Sequence, residues 1–321
     1  MNRRLVVSLS ELTPEQRAAI ANAAERNGFE ALFFMDNASA LPALADAEIV
    51  FGAGTELIAN APALRWFCTP QAGVNQYLAE DAFASPDAIL SNSSGAYGTT
   101  IAEHIVMVTL EMMRRAPEYA QLVERREWAR GLRIRSIRDA RITLLGTGDI
   151  GREAAIRLRA FSPKRIVGIN RSGVDPSGLF DRVVPREQAD SWLSETDLVI
   201  LSLPGTQETD GFLDERRLCL LPEDAFLVNV GRGNAIDQRA LERLMRAGRF
   251  AGAALDVFER EPVAREDSLW QCPRLLITPH IAGNMTLPYT VKRIVELFLE
   301  DFENYCAGRP LRRAIDKARG Y

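Results

Sequence analysis

Histidine is nearly absent from this chain of 321 residues: His104 and His280 are the whole supply, so chemistry that needs an imidazole has two candidates. Cysteine is scarce too. Cys68, Cys219, Cys272 and Cys306 lie far apart with no CxxC pair, which argues against a disulfide framework or a zinc site and fits reduced thiols in a cytosolic protein. No metal is expected. Charge of one sign is also lacking: 39 basic and 43 acidic residues leave a net charge of −4, and the signs are interspersed, so no nucleic-acid footprint is present. The nearest approach to one, Arg125 to Arg141, is diluted by Glu124, Glu127 and Asp139. With Leu122, Val123 and Trp128 at helical spacing, it reads as a solvated helix face and the loop after it. No apolar run reaches the length of a membrane span, because Glu103, His104 and Glu111 interrupt the best candidate. The opening MNRRLVVSLSELTPEQ has a basic start but too short an apolar run for a signal peptide, so a cytoplasmic address is expected.

What is present is the composition of a globular protein, 47% hydrophobic and 26% charged. The length suits two domains with a ligand cleft between them. Apolar runs at 5–7, 31–35, 48–51, 65–68 and 88–90, with helical stretches between them, predict a parallel α/β sheet. Thr13, Pro14 and Gln16 spell a capping box at the first helix start. Residues 101–113 are apolar almost all round, predicting a long helix buried between lobes or against a second subunit. From Arg141 the alternation restarts, with runs at 142–145, 166–169, 198–203, 226–230, 253–257 and 275–278, so six strands are expected to fill a second sheet. Val291, Ile294, Val295, Phe298, Phe302 and Tyr305 then mark an amphipathic helix stopped by Gly308. With six strands the second sheet is full by Thr278, so this helix is assigned back to the first lobe. The fold class is therefore α/β, two lobes each with a parallel sheet flanked by helices.

Gly146-Thr147-Gly148-Asp149-Ile150-Gly151 follows an apolar strand and opens a helix, the context a dinucleotide fingerprint requires. Its glycines permit a tight turn and close approach to a pyrophosphate, which the helix N-terminus attracts. Structural glycine turns and S-adenosylmethionine sites match the same pattern. The position nineteen residues beyond Gly151, where an acidic residue normally holds the ribose, is Asn170, followed by Arg171 and Ser172. An amide, a guanidinium and a hydroxyl suit a 2′-phosphate, which favours NADP(H) over NAD(H). Arg171 as a plain surface residue is the alternative.

Arg232 stands between Gly231 and Gly233 past a strand end, where a guanidinium can clamp a carboxylate. His280 follows Thr278 and Pro279 past another, and Glu261 follows a third. A carboxylate beside an imidazole favours the protonated ring and makes a better-matched acid near neutral pH. His104, inside the apolar helix, reads instead as a core or interface histidine.

The ordered set LLGTGDIGRE, LSLPGTQET, LVNVGRGNAID, ALDVFEREP and ITPHIAG, with TPQAGVNQY and IAEH before it, resembles the D-2-hydroxyacid dehydrogenase family over nearly the whole chain. The resemblance implies a Rossmann cofactor domain, 97–287, inserted into a flavodoxin-like substrate domain, 1–96 plus 288–321, and a homodimer built on the inserted lobe. It implies Arg232, Glu261 and His280 as the catalytic set and the backbone of Ala72, Gly73 and Val74 as the substrate-carboxylate loop. Around the cofactor it places Gly146, Gly148, Asp149, Ile150, Gly151, Asn170, Arg171, Ser172, Leu203, Pro204, Thr206, Val230, Gly231, Asp256 and Gly283. Two departures are visible: no acidic residue follows the second cofactor strand, and Ile281-Ala282-Gly283-Asn284 is not the commonest variant after the histidine. The implied function is reduction of a small 2-keto acid to the D-2-hydroxy acid, without nucleic acid or membrane as partner. Tyr97, Met285 and Leu287 are candidates for the pocket wall, with core packing the alternative. A cofactor-sensing corepressor on the same fold is the rival function; a methyltransferase leaves Arg232, Glu261 and His280 unexplained.

Overall fold

The computed structural model describes residues 3–320. Met1, Asn2 and Tyr321, hence the very start of the leader reading and the outer ends of the expected domain spans, lie outside the described residues. Contacts divide the chain into two compact units, one running to Tyr97 and resuming at Asn284, the other Gly98–Gly283. The expected junctions were after residues 96 and 287; the first break falls where the helix Gly98–Arg114 begins.

The first unit holds β1 (Arg3–Ser8), β2 (Phe29–Phe34), β3 (Ala47–Gly52), β4 (Trp66–Cys68) and β5 (Ile89–Ser91). They form one parallel sheet in the order β2-β1-β3-β4-β5, a flavodoxin-like order. All five coincide with apolar runs in the sequence, as expected of strands covered on both faces. The helix Pro14–Arg26 starts on the expected capping box: Thr13 Oγ1 accepts from the Gln16 amide at 3.3 Å and Gln16 Oε1 from the Thr13 amide at 2.8 Å. The terminal helix Pro288–Cys306 lies in this unit and packs aromatics onto the sheet, Phe298 stacking on Phe51 at 4.1 Å and on Trp66 at 5.3 Å between ring centroids.

The second unit holds β6 (Arg141–Leu145), β7 (Arg165–Asn170), β8 (Arg182–Pro185), β9 (Leu198–Leu201), β10 (Phe226–Asn229), β11 (Gly252–Leu255) and β12 (Leu275–Ile277). Their order is β12-β11-β10-β9-β6-β7-β8, all parallel, a doubly wound Rossmann sheet. Seven described strands replace the expected six. The unforeseen one, β8, is a short edge strand in which Val184 alone is buried, and Pro185 costs nothing at an edge. The strand expected over 198–203 ends at Leu201.

Gly98–Arg114 is the long helix foreseen at 101–113, but it is not apolar on every exposed side. Ile101, Ile105, Val108 and Met112 are buried, whereas Glu103 is exposed and Met107 is 44% exposed. After it, the helix Ala116–Glu124 ends before Trp128, which is 89% exposed on an irregular segment, so Trp128 is not part of the helix face read from its spacing. No helix among the described residues is long and apolar enough to cross a membrane.

Candidate active site

In a parallel sheet the backbone leaves each strand's carboxyl end on the same side, which is where open α/β folds gather their ligand-binding loops. The glycine-rich turn follows β6, and Arg232, Glu261 and His280 follow β10, β11 and β12, three neighbouring strands.

The turn fits a dinucleotide by what it leaves out. Gly146 adopts φ +104°, in the region that favours glycine, and a Cβ on Gly151 would come within 2.2 Å of the Gly146 carbonyl oxygen. Over Gly148 there is open space, and among the described residues no side chain caps the helix Asp149–Arg159 that starts there. An uncapped helix N-terminus beside an open glycine is an anion site in waiting. Asp149, by contrast, turns its carboxylate toward the first residue of the long helix: a Cβ on Gly98 would lie 2.4 Å from Asp149 Oδ2.

At the end of β7 the Asn170 side chain is used locally. Its Nδ2 donates to Thr147 Oγ1 and to the Val174 carbonyl, both at 2.8 Å, and its Oδ1 accepts from the Gly173 amide at 2.7 Å. Asn170 thus shapes the turn, while Arg171 and Ser172 beside it are exposed. The acidic group of this turn, Asp175, is held by Arg152 at 2.7 Å and by Ser177, so its carboxyl lies below the ordinary range although desolvation opposes that shift.

Arg232 is half-buried and held by the turn around it. Asn229 braces that turn, its Oδ1 accepting from the Gly231 amide at 3.1 Å and its Nδ2 donating to the Arg232 carbonyl at 2.9 Å. One guanidinium N–H reaches the Gly231 carbonyl at 2.7 Å; the other donors have no partner among the described residues. Burial lowers the Arg232 pKa, and the Glu261 carboxylate opposes that shift. Gly233 lets the next loop approach, since a Cβ there would fall 1.9 Å from the Phe258 carbonyl carbon.

That next loop carries Glu261, whose Oε1 accepts from the Phe258 amide at 2.9 Å while Oε2 meets His280 Nδ1 at 2.6 Å. Gln238 and Glu259 clasp the loop to the helix Gln238–Arg246, each side chain accepting the other's amide, at 3.2 and 3.3 Å. A carboxylate only accepts, so His280 donates through Nδ1–H and its Nε2 is left free to exchange a proton. The ring is 53% exposed and its backbone sits at φ +54°, a left-handed conformation uncommon outside glycine.

Asp256 holds that turn in place. It is 2% exposed, and its carboxylate accepts from Thr278 Oγ1 at 2.6 Å and from the amides of Ile281 and Ala282 at 2.9 and 3.0 Å. Its carbonyl accepts from the His280 amide at 2.9 Å. These bonds aim it at its own loop, a duty that the sequence does not reveal. Thr278, not singled out from sequence, is part of this network, and the signal for it was its place two residues before His280.

The family model for the NAD-binding domain of D-isomer specific 2-hydroxyacid dehydrogenases matches residues 106–282. This chain belongs to the D-isomer specific 2-hydroxyacid dehydrogenase family. It is 31% identical over 225 residues, 70% of each chain, to a glyoxylate/hydroxypyruvate reductase A of Salmonella newport. Among solved structures, a family member from Aeromonas salmonicida subsp. salmonicida superposes with a TM-score of 0.86 at 29% identity, over 99% of this chain and 100% of that one. An NADPH-dependent glyoxylate/hydroxypyruvate reductase from Sinorhizobium meliloti, solved with NADP and sulfate, gives 0.81 at 26% identity with the same coverage. The chain is accordingly an oxidoreductase of this dehydrogenase family with an NAD(P)-binding Rossmann domain.

In the first unit, Ala72, Gly73 and Val74 form the loop after β4. Asn92 Nδ2 donates to the Ala72 carbonyl at 2.6 Å, and among the described residues no acceptor faces the three N–H groups of this loop. Tyr97 is a brace rather than a pocket wall: it is 6% exposed and its hydroxyl donates to the Pro70 carbonyl at 2.8 Å. Burial pushes that phenol's pKa well up, so it stays a donor. Leu287 is 42% exposed, and Thr206 forms a turn with Thr209, their hydroxyls 3.1 Å apart.

Proposed function

We propose that this chain reduces a small 2-keto acid of the glyoxylate or hydroxypyruvate kind to its D-2-hydroxy acid. The observation that carries the reading is the 2.6 Å bond from His280 Nδ1 to Glu261, with Arg232 one strand away holding unpartnered donors. A nicotinamide dinucleotide, when bound, supplies the hydride. Arg232 polarises the ketone through its free N–H groups, and its approach is kept open by Gly231 and Gly233. His280 Nε2 delivers the proton to the developing alkoxide, and Glu261 stabilises the charge on the ring and fixes its orientation. The amides of Ala72, Gly73 and Val74 are suited to the substrate carboxylate, since unpartnered neighbouring N–H groups bind anions.

For the cofactor, Gly146, Gly148, Ile150 and Gly151 offer the pyrophosphate its backbone and helix terminus, and Leu203, Pro204, Thr206, Val230, Gly231 and Gly283 surround the rest, with Asp256 acting through the loop it holds. NADP(H) is favoured over NAD(H). Support comes from exposed Arg171 and Ser172 beside an Asp175 already neutralised by Arg152, so a 2′-phosphate meets a net positive turn. Asn170 acts by setting that turn.

A homodimer through the Gly98–Gly283 unit fits the exposed apolar groups there, Met107, Val123, Trp128 and Ile134, which a second copy would cover. Light scattering on the purified protein reads this directly.

The deciding experiment is an initial-rate screen with NADPH and NADH separately, against glyoxylate, hydroxypyruvate, phenylpyruvate, 2-ketoisocaproate and 2-ketopantoate. Faster turnover with NADPH on the small acids is the expected result. Turnover only with NADH overturns the cofactor assignment, and tight cofactor binding without turnover on any acid puts the sensing scaffold in its place.

A further inference from the structure

His104 is a polar ring on a helix whose neighbouring turns bury Ile101, Ile105 and Val108. Its Nε2 lies 3.3 Å from Thr278 Oγ1, and that hydroxyl lies 2.6 Å from Asp256 Oδ1. A hydroxyl has one proton to give. An ionised carboxylate cannot donate, so Thr278 gives its proton to Asp256 and its oxygen can only accept from the ring. His104 is thereby the donor, through Nε2–H. From Asp256 the same network continues to the amides of Ile281 and Ala282 and, through its carbonyl, to the amide of His280.

We infer that His104 is a positioning residue for the keto-acid reduction: its Nε2–H locks the Thr278 hydroxyl onto Asp256, and Asp256 in turn holds the left-handed turn that aims His280. The inference rests on the function proposed above. A non-glycine residue at φ +54° persists only where its surroundings over-determine it, and the bonds on Asp256 are those surroundings. Burial keeps His104 below the ordinary imidazole range, against the pull of Asp256 across the strand end and Glu111 on its own helix. The ring is then neutral with one N–H, and the network says which nitrogen bears it. If the ring only filled space, an apolar side chain of similar size would serve as well.

The test compares His104→Leu, which removes the donor, with His104→Gln, whose amide nitrogen reaches the position of Nε2, and with Thr278→Val. Turnover, KM for the keto acid, cofactor dissociation constant and thermal midpoint are measured for each. His104→Leu is expected to lower kcat by about ten- to a hundredfold, the scale of a misaimed catalytic group, with the cofactor constant unchanged. His104→Gln recovers most of that loss. Thr278→Val matches His104→Leu, and the double variant is no worse than Thr278→Val alone, because both cut one chain of contacts. Wild-type kcat in His104→Leu, losses that multiply, or no rescue by glutamine overturns the inference. Should the leucine variant fail to fold, His104→Gln and Thr278→Val still decide.

A second readout needs no turnover. With only two histidines in the chain, a nitrogen-15 spectrum of the labelled protein resolves both rings. The expected His104 pattern is a protonated Nε2 and a bare Nδ1; the opposite tautomer overturns the network. If the wild type reduces no keto acid, the functional reading fails on its own. Movement of the His280 resonances by His104→Leu, with return in His104→Gln, still shows the coupling, and unmoved resonances refute it.

Discussion

The Nδ1 of His280 and the Oε2 of Glu261 stand 2.6 Å apart, although the residues are nineteen positions apart and leave different strands. In the proposed reduction this bond leaves Nε2 as the atom that exchanges the proton. His280→Gln should therefore depress kcat by about 10²- to 10⁴-fold, the usual worth of a positioned acid, while the cofactor dissociation constant stays as in the wild type. Steady-state kinetics alongside a fluorescence titration with NADPH checks it; intact turnover removes His280 from the acid's role.

The proposed preference for NADP(H) rests on exposed Arg171. Arg171→Ala is expected to raise KM for NADPH about tenfold, the size of a lost charge-assisted hydrogen bond, and to leave KM for NADH nearly unchanged. Equal losses with both cofactors would mean that Arg171 does not meet the 2′-phosphate.

Gly233 is where two loops of the site touch. A methyl group there falls 1.9 Å from the Phe258 carbonyl carbon, and backbone cannot swing aside as a flexible side chain does. Gly233→Ala should cost about 1–3 kcal/mol of stability, read from the urea midpoint, and lose more turnover than that destabilisation explains. A variant with normal stability and normal kcat would show that the loops can separate at no cost.

The fork of Arg3 grips Glu48 at 2.9 and 2.6 Å, and the Tyr305 hydroxyl adds a bond of 2.7 Å. The Arg3 bond, with the Tyr305 hydroxyl, holds the carboxyl below its ordinary value of 4.5 against desolvation. The unfolded chain keeps the ordinary value and binds the proton more readily. The stabilisation is thus complete above about pH 4.5 and is lost as pH falls through the lower, folded pKa. Glu48→Gln should unfold at lower urea at neutral pH, and the gap to the wild type should narrow as pH falls below 4.5. A gap that stays constant with pH would place the loss elsewhere.

The legible part of this molecule is its periodicity and its motifs. Strands covered on both faces announce themselves as apolar runs, so β1 to β7 and β9 to β12 stood out, and β8 did not because an edge strand with one buried residue carries no such run. The capping box at Thr13 is local and could be read directly. The positions of Arg232, Glu261 and His280 after neighbouring strands follow from the order of the elements. What their neighbours do is only partly local. Asn170 has the right address for a ribose contact, yet its amide reaches back to Thr147, and Asp256 is tied to residues 278, 281 and 282, all more than twenty positions away in each case. No spacing rule encodes which of several possible acceptors a side chain finds across a folded sheet.

The aromatic layer of the first unit is supplied from the far end of the chain, Phe298 and Phe302 covering Trp66 at 5.3 and 6.5 Å. During synthesis the five strands of that unit leave the ribosome first and residues 6–90 can close the core on one face, but the aromatic side chains that cover Phe51 and Trp66 arrive last, after the whole of Gly98–Gly283. The inserted unit can complete its own core while one face of its host is still uncovered, so the N-terminal unit, although begun first, is finished last. The face of the sheet that carries Phe51 and Trp66 is then the surface that a stalled or truncated product leaves open to chaperones and proteases.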